Sequence, residues 1–186
     1  MRFLLAALCL LSVSVPAQAQ TAPDPLRTNP LTNEPRSMFD PISSDEVSAR
    51  IGACIERDLE AAEEAQAVAL SCEAEARDFC ARVSADYPLS NAAECGLSVK
   101  LAWGELRNAA GLAVLDALYE RVSAGDEAAR GEAEAFAAQD DRWRAEAANA
   151  CLGQADANER IACETAVQRD RAILYYARRT EMAQAR

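Results

Sequence analysis

The chain has 186 residues and a formal net charge of −11, and it contains no histidine. A chain this acidic is not expected to bind nucleic acid or an anionic membrane surface, whereas it can attract a basic protein. Without histidine, Ser-His-Asp and Cys-His catalysis and histidine-based zinc sites are excluded. Glycine and proline are few, with seven residues of each. Alanine, glutamate and arginine are abundant, so we expect an all-α fold.

The first 19 residues have the pattern of a cleaved export signal. Arg2 supplies the positive charge, residues 3–15 are apolar, and residues 17–19 (Ala-Gln-Ala) form a cleavage site, so cleavage is expected after Ala19. The apolar run is shorter than the ~20 residues that span a bilayer. Cys9 lies in this run and is expected to be removed with the leader. We therefore expect a periplasmic or secreted protein, in a compartment where disulfides persist.

Removal of the leader changes the charge of the chain. Residues 1–19 contain one arginine and no acidic residue, so the mature chain carries −11 − 1 = −12. Residues 20–42 then contain five prolines among polar residues. Because proline lacks a backbone donor and interrupts helices, this segment is expected to be a disordered tether. Residues 43–186 are expected to form a single domain, a disulfide-stapled helical bundle of about four to five helices.

The first two helices follow from a capping signal and a length argument. Ser43 with Glu46 three residues later forms a capping box, which predicts a helix start. The helical pattern then continues to residue 84. One unbroken helix over residues 44–84 would be ~60 Å long, which exceeds the size of a small domain. We expect a tight bend within Glu60–Gln66 and two antiparallel helices.

The third helix is expected to be the centre of the bundle, from about Ala92 to Val122. Its apolar residues occupy more than one stripe, which is typical of a helix that several neighbours touch. Gly96, Gly104 and Gly111 recur on roughly one face. Glycine is costly inside a helix, so this spacing predicts close approach of another helix there.

Two further helices are predicted beyond this one. Gly125 and Asp126 form a turn in which Asp126 is the N-cap of a fourth helix, which runs to Leu152. Gly153 ends that helix, and Asp156 caps a fifth. The fourth helix is nearly all alanine, glutamate and arginine until its aromatic residues.

Six cysteines remain after the leader, and an even number in an exported chain predicts a disulfide framework with 15 connectivities. Cys72 and Cys80 cannot pair within one helix, because eight residues separate them by ~12 Å and a disulfide needs Cα atoms within ~7 Å. Each sequential pair straddles a predicted break in helix. The expected disulfides are Cys54–Cys72, Cys80–Cys95 and Cys151–Cys163.

Metal binding and redox chemistry are not expected of these cysteines. The chain has no C-x-x-C spacing, and no histidine could complete a ligand set. Two pairs of adjacent acids, Glu63-Glu64 and Asp140-Asp141, are the residue types of glycoside hydrolysis. Neighbouring residues on a helix point ~100° apart, so we expect solvated faces instead. No cofactor and no catalytic residue is predicted.

Trp103 and Trp143 are expected to be core anchors, since a buried indole contributes a large apolar surface. Arg142 and Arg144 flank Trp143 in the sequence. An alternative for Trp143 is therefore an exposed cation–π or sugar-stacking group.

The chain resembles the LprI-like lysozyme inhibitor family, a group of small exported bacterial helical domains. The resembling residues run from Cys80 to Leu174, and the family-like part of the domain covers about residues 80–176. Cys80 and Cys95 precede a helix that reads ECGLSVKLAWGELRNAA. The next helix presents Gln139 and Trp143, with Cys151 eight residues after the tryptophan. The last helix places Arg171 eight residues after Cys163. The upstream pair, Cys54 and Cys72, is similar to an extension found in proteobacterial members.

This resemblance implies a periplasmic protein that inhibits lysozyme by binding it, without chemistry of its own. A domain of charge −12 would be attracted to a typically basic lysozyme. The alternative is a structural or stress-related envelope protein that binds another component or an assembly partner through its helical faces. No nucleic-acid partner and no membrane insertion are expected, and the oligomeric state is left open.

Overall fold

The computed structural model describes residues 42–86 and 92–184, and these residues form five helices without a strand. The leader (residues 1–19) and almost all of the tether (residues 20–42) lie outside the described residues. The prediction of a disulfide-stapled all-α bundle is confirmed for the described part of the chain. The helices are α1 (Ser44–Asp58), α2 (Ala65–Asp86), α3 (Ala92–Ser123), α4 (Glu127–Ala150) and α5 (Ala157–Gln184).

The helix starts follow the capping residues that the sequence contains. The Ser43 side chain accepts a hydrogen bond from the Glu46 backbone N–H, which satisfies a donor that the first turn of α1 leaves free. Asp126 accepts two such bonds at the start of α4, and Asp156 does so before α5. The predicted bend between α1 and α2 is confirmed over residues 59–64. Helix α4 ends at Ala150, two residues before the predicted end at Leu152.

Helix α3 is the central helix, as predicted, because it contacts each of the other four. Trp103 is completely buried on it and fills the core together with Val99 and Val114. The close approach expected at its glycines occurs at Gly111, where a Cβ atom would lie 3.1 Å from the ring of Tyr175. At Gly104 the expectation is wrong: a Cβ there would meet no atom of another helix within 4 Å.

Three disulfides join the helices in the predicted sequential order. Cys54–Cys72 joins α1 to α2 and Cys80–Cys95 joins α2 to α3, with Cα–Cα distances of 5.6 and 5.8 Å. Cys151–Cys163 joins the end of α4 to α5 at 5.8 Å. Each connects parts of the chain that the intervening break in helix already brings together, so each closes a loop of only 12 to 18 residues.

Polar contacts supplement the apolar core between helices. Arg169 of α5 lies 3.0 Å from the carboxylate of Glu73 on α2, and both side chains are largely buried. The turn between α3 and α4 carries no disulfide. Arg121 binds Asp126 at 2.6 Å and Glu132 at 3.1 Å across this turn, and Gly125 adopts a φ of 97° within it. Among the described helices, none combines the length and apolar character needed to cross a bilayer.

Candidate functional site

The two tryptophans lie in different environments. Trp103 is buried as predicted. Trp143 is only partly buried and lies outside the core cluster, so its assignment as a core anchor is corrected. Helix α4 presents Ala133, Phe136 and Asp140 to the interior, and Trp143 stands at the edge of that face. The indole is therefore at a surface where α3, α4 and α5 meet.

Two arginines from other helices lie against the Trp143 ring. The guanidinium carbon of Arg107 on α3 is 4.9 Å from the ring centroid, and that of Arg171 on α5 is 5.4 Å away. Cation–π attraction at such distances stabilises a charged guanidinium beside an indole. Trp143 is therefore a cation–π group, as the alternative prediction had it. Its cations are Arg107 and Arg171, and not its sequence neighbours Arg142 and Arg144. The resemblance named Trp143 and Arg171, and the fold brings these two together.

Asp140 is the buried carboxylate of this cluster, with only 8% of its surface exposed. It accepts hydrogen bonds from the Tyr175 hydroxyl and from Arg144 Nε at 2.7 Å. Arg107 Nη1 lies 3.8 Å from the carboxylate oxygen that Tyr175 also binds. The expected solvated face is therefore wrong for Asp140, whereas Asp141, Glu63 and Glu64 are exposed as expected.

Tyr175 connects Asp140 to Arg171. Its hydroxyl donates to Asp140 and accepts from Arg171 Nε at 2.7 Å. Its ring lies 5.0 Å from that of Phe136 and against the backbone of Gly111. Because only glycine leaves room at residue 111, the ring can lie close enough to α3 for its hydroxyl to reach the carboxylate.

The environment shifts the pKa of three of these groups. Burial opposes ionisation of Asp140, but the hydrogen bonds from Tyr175 and Arg144 and the nearby positive charges outweigh it, so the pKa of Asp140 is lowered. Burial, reinforced by the bond to Asp140, raises the pKa of Tyr175 to about 12. Burial and the charge of Arg144 lower the pKa of Arg107. At neutral pH the cluster thus holds an ionised aspartate and a neutral tyrosine.

Three adjoining clefts surround the cluster. The first, the tyrosine cleft, has a volume of about 320 Å³ and is lined by Arg107, Leu112, Phe136, Asp140, Arg144 and Tyr175. The second, the acidic cleft, has about 340 Å³ and is lined by Trp143, Glu146, Asp170, Arg171 and Leu174. The third, the arginine cleft, has about 360 Å³ and is lined by Lys100, Arg107, Trp143, Arg144, Glu164 and Gln168. Each is in the lower part of the size range of small-ligand sites.

One group of residues has the spacing of metal ligands. Cys54, Asp58 and Cys72 place three ligand atoms within 4.8 Å of one another. Cys54 and Cys72 are joined in a disulfide, and a disulfide sulfur is not the thiolate that binds a metal. The six predicted cysteines are accordingly structural in this oxidised form.

The sequence interpretation missed Arg107, Asp140 and Tyr175 as members of one site. A signal for Asp140 was present: Ala129, Ala133, Phe136 and Asp140 follow the i, i+4, i+7, i+11 spacing of one helix face, and all four are buried. No comparable signal links Arg107 to Tyr175, since they lie on different helices.

Comparison with protein-family models, with curated proteins and with solved structures finds no match to this chain.

Proposed function

We propose that this chain is an exported binding protein without catalytic activity, whose partner is a basic protein of the lysozyme type. The observation that carries the proposal is the charge of −11 for the full chain and −12 after the expected cleavage. The resemblance to LprI-like inhibitors over Cys80–Leu174 supports lysozyme as the partner. Three disulfides fit a role outside the cytosol, where reduction is not maintained.

The described surface offers acidic groups for such an encounter. Glu60, Glu63 and Glu64 are exposed within five residues of one another at the α1–α2 turn. Exposed like charges on a folded scaffold create a field that steers an oppositely charged partner. A scaffold cross-linked by disulfides also loses little conformational entropy on binding, which favours affinity.

The test is a lysis assay with the full chain, produced in an oxidising compartment, against graded amounts of a basic lysozyme. We expect the chain to slow lysis in a saturable manner. An unrelated helical protein of the same net charge is the control, since simple charge adsorption would protect cells equally with either protein. Equal protection by that control would contradict the inhibitor proposal.

The kinetics of association distinguish long-range electrostatic attraction from short-range contacts in the complex. The Debye length falls from ~30 Å at 0.01 M salt to ~8 Å at 0.15 M, so the association rate is expected to fall strongly over this range. The dissociation rate should change less, because it reports short-range contacts. Replacing Glu60, Glu63 and Glu64 by glutamine should slow association at low salt. The matched variant with aspartate at the same three positions keeps the charge and should associate at the original rate.

A second candidate function has one structural observation in its favour. One side of helix α3 exposes a row of four large apolar side chains, in two groups that the exposed Asn108 separates: Leu97 with Leu101, and Leu112 with Tyr119. Exposed apolar rows of this kind are typical of surfaces that bind another protein. This row supports the alternative of an envelope protein that binds a partner through a helical face.

The two candidates differ in what they predict for one double variant of α3. If the α3 row is the binding surface, Leu112→Gln with Tyr119→Gln should abolish capture of the partner in envelope cross-linking. Under the inhibitor proposal the same variant should protect cells from lysozyme as well as the original chain does.

A further inference from the structure

The arginine cleft between α3, α4 and α5 contains buried hydrogen-bonding atoms that the chain itself leaves unused. Arg107 is only 8% exposed, yet its Nε and Nη1 atoms have no hydrogen-bond partner among the described residues. The Oε1 atom of Gln168 is likewise buried and without a partner there. An unpaired buried polar atom is unfavourable by about 1–3 kcal/mol, and by more where the group is charged. Such atoms normally have a partner in the protein or in ordered water, so these are available to a polar ligand.

The charge of this cleft is positive although the chain is strongly acidic. Arg107 and Arg144 line it with two positive charges, and the buried carboxylate of Asp140, which lies beside both, offsets one of them. Lys100, which also lines the cleft, is neutralised by Glu164 at 2.5 Å. A buried guanidinium in excess of its carboxylates is a binding group for an external anion, and its fork geometry matches a carboxylate.

The neighbouring clefts are less suited to an anion. The acidic cleft sets Glu146 and Asp170 against the single charge of Arg171, so its lining is net negative. In the tyrosine cleft Arg107 and Arg144 lie beside Asp140, and an anion there would meet that carboxylate. The arginine cleft alone of the three has the two arginines on its wall without Asp140.

We propose that the arginine cleft binds a small organic acid that carries hydroxyl groups as well as a carboxylate, such as a sugar acid. The carboxylate would accept from Arg107 and Arg144, and a hydroxyl would donate to Gln168 Oε1. The Trp143 indole, which lines the same cleft, offers a flat apolar surface to the ligand's ring. A volume of about 360 Å³ accommodates one monosaccharide-sized molecule. This inference is independent of the proposed basic protein partner.

The test is calorimetric titration of the full, disulfide-bonded chain with D-glucuronate as the probe. We expect one saturable site for D-glucuronate and none for D-glucose, which has the hydroxyls but no carboxylate. Inorganic phosphate distinguishes a carboxylate site from a general anion site. If phosphate binds as tightly as D-glucuronate, or if D-glucuronate does not saturate at millimolar concentrations, the proposal is overturned.

The two arginines that flank Trp143 provide a matched pair of variants. Both side chains are exposed, but Arg144 lines the cleft and Arg142 does not. Loss of a charge-assisted hydrogen bond should weaken D-glucuronate binding about tenfold in Arg144→Gln. The Arg142→Gln variant has the same change in net charge and should bind within about twofold of the original, since an exposed charge outside the cleft contributes little. Equal weakening by both variants would mean that net charge alone, and not the cleft, attracts the ligand.

A third variant tests the hydroxyl contact. Replacing Gln168 by leucine removes the amide acceptor, so it should weaken D-glucuronate but leave the binding of acetate unchanged. Circular dichroism melting of each variant verifies that the helices are intact. If Gln168→Leu leaves D-glucuronate binding unchanged, the hydroxy-acid assignment is wrong.

Discussion

Gly111 and Tyr175 are in direct contact, with the tyrosine ring where a side chain at residue 111 would begin. A Cβ atom built on Gly111 lies 3.1 and 3.2 Å from two ring carbons of Tyr175. The ring has little freedom to move, because it is buried, lies against Phe136 and is held at its hydroxyl by Asp140. The position of α5 relative to α3 thus depends on the absence of one methyl group.

The first prediction compares two glycines of the same helix. Gly104→Ala should raise the free energy of unfolding by about 1 kcal/mol, since alanine is the better helix former and the space is open. Gly111→Ala gains the same propensity but must displace Tyr175, and overpacking of this kind destabilises by about 1–3 kcal/mol. Urea unfolding should therefore rank Gly104→Ala above Gly111→Ala. The reverse order would show that the ring moves freely.

The second prediction concerns the buried carboxylate. Asp140→Asn should destabilise the fold by about 1–3 kcal/mol at neutral pH, because Arg107 loses a carboxylate and two hydrogen bonds weaken. Asp141→Asn, at the exposed neighbour, should have little effect. Thermal unfolding of both variants provides the measurement, and equal melting temperatures for the two would contradict the buried network.

The same carboxylate gives a pH dependence with a defined sign. The pKa of Asp140 in the folded chain is lowered from 3.8. Its contribution to stability is therefore present above about pH 4 and is lost as the pH falls through the lower folded pKa. We expect the difference in unfolding free energy between the original chain and Asp140→Asn to shrink between neutral pH and strongly acidic pH. A difference that grows on acidification would mean that the sign is wrong.

The third prediction uses the tyrosine hydroxyl as a reporter. The pKa of Tyr175 is raised to about 12 from 10.0, so its neutral form is favoured by folding. The corresponding stability is present below pH 10 and is lost as the pH rises toward 12. Tyrosinate absorbance should show a late step near pH 12 that disappears in Tyr175→Phe and persists in Tyr119→Phe. Persistence of that step in Tyr175→Phe would assign it to another tyrosine.

The fourth prediction separates the two tryptophans. Trp103→Ala should cost about 3–5 kcal/mol, as for other fully buried aromatic side chains. Trp143→Ala should cost only about 1–2 kcal/mol, since it removes partial burial and two cation–π contacts. Denaturant unfolding measures both. If the two variants lost equal free energy of unfolding, Trp143 would be a core residue after all.

Much of the framework could be predicted because it depends on local signals. The cap at Ser43, the cap at Asp126 and the pairing of cysteines across each break in helix are properties of short stretches of sequence. The length of a helix over residues 44–84 was enough to require a bend. These features need no knowledge of how distant helices pack.

The site could not be predicted in the same way, because it depends on which faces of three helices meet. Asp140 and Asp141 are adjacent and chemically identical, yet one is buried and the other exposed. The difference arises from the 100° between successive side chains and from Tyr175, 35 residues away. Similarly, the sequence neighbours of Trp143 suggested Arg142 and Arg144 as its cations, whereas packing supplies Arg107 and Arg171.

The placement of the disulfides determines how the chain would respond to a protease. A single cut between Cys54 and Cys72, between Cys80 and Cys95, or between Cys151 and Cys163 leaves both pieces covalently joined. A cut at the α3–α4 turn does not, since no disulfide spans residues 123–126. There the pieces are held by Arg121 and its two carboxylates, and by the broad contact of α3 with α5. Of the connections between consecutive helices, this turn is the one that no disulfide spans, so a single cleavage there would leave two pieces without a covalent link.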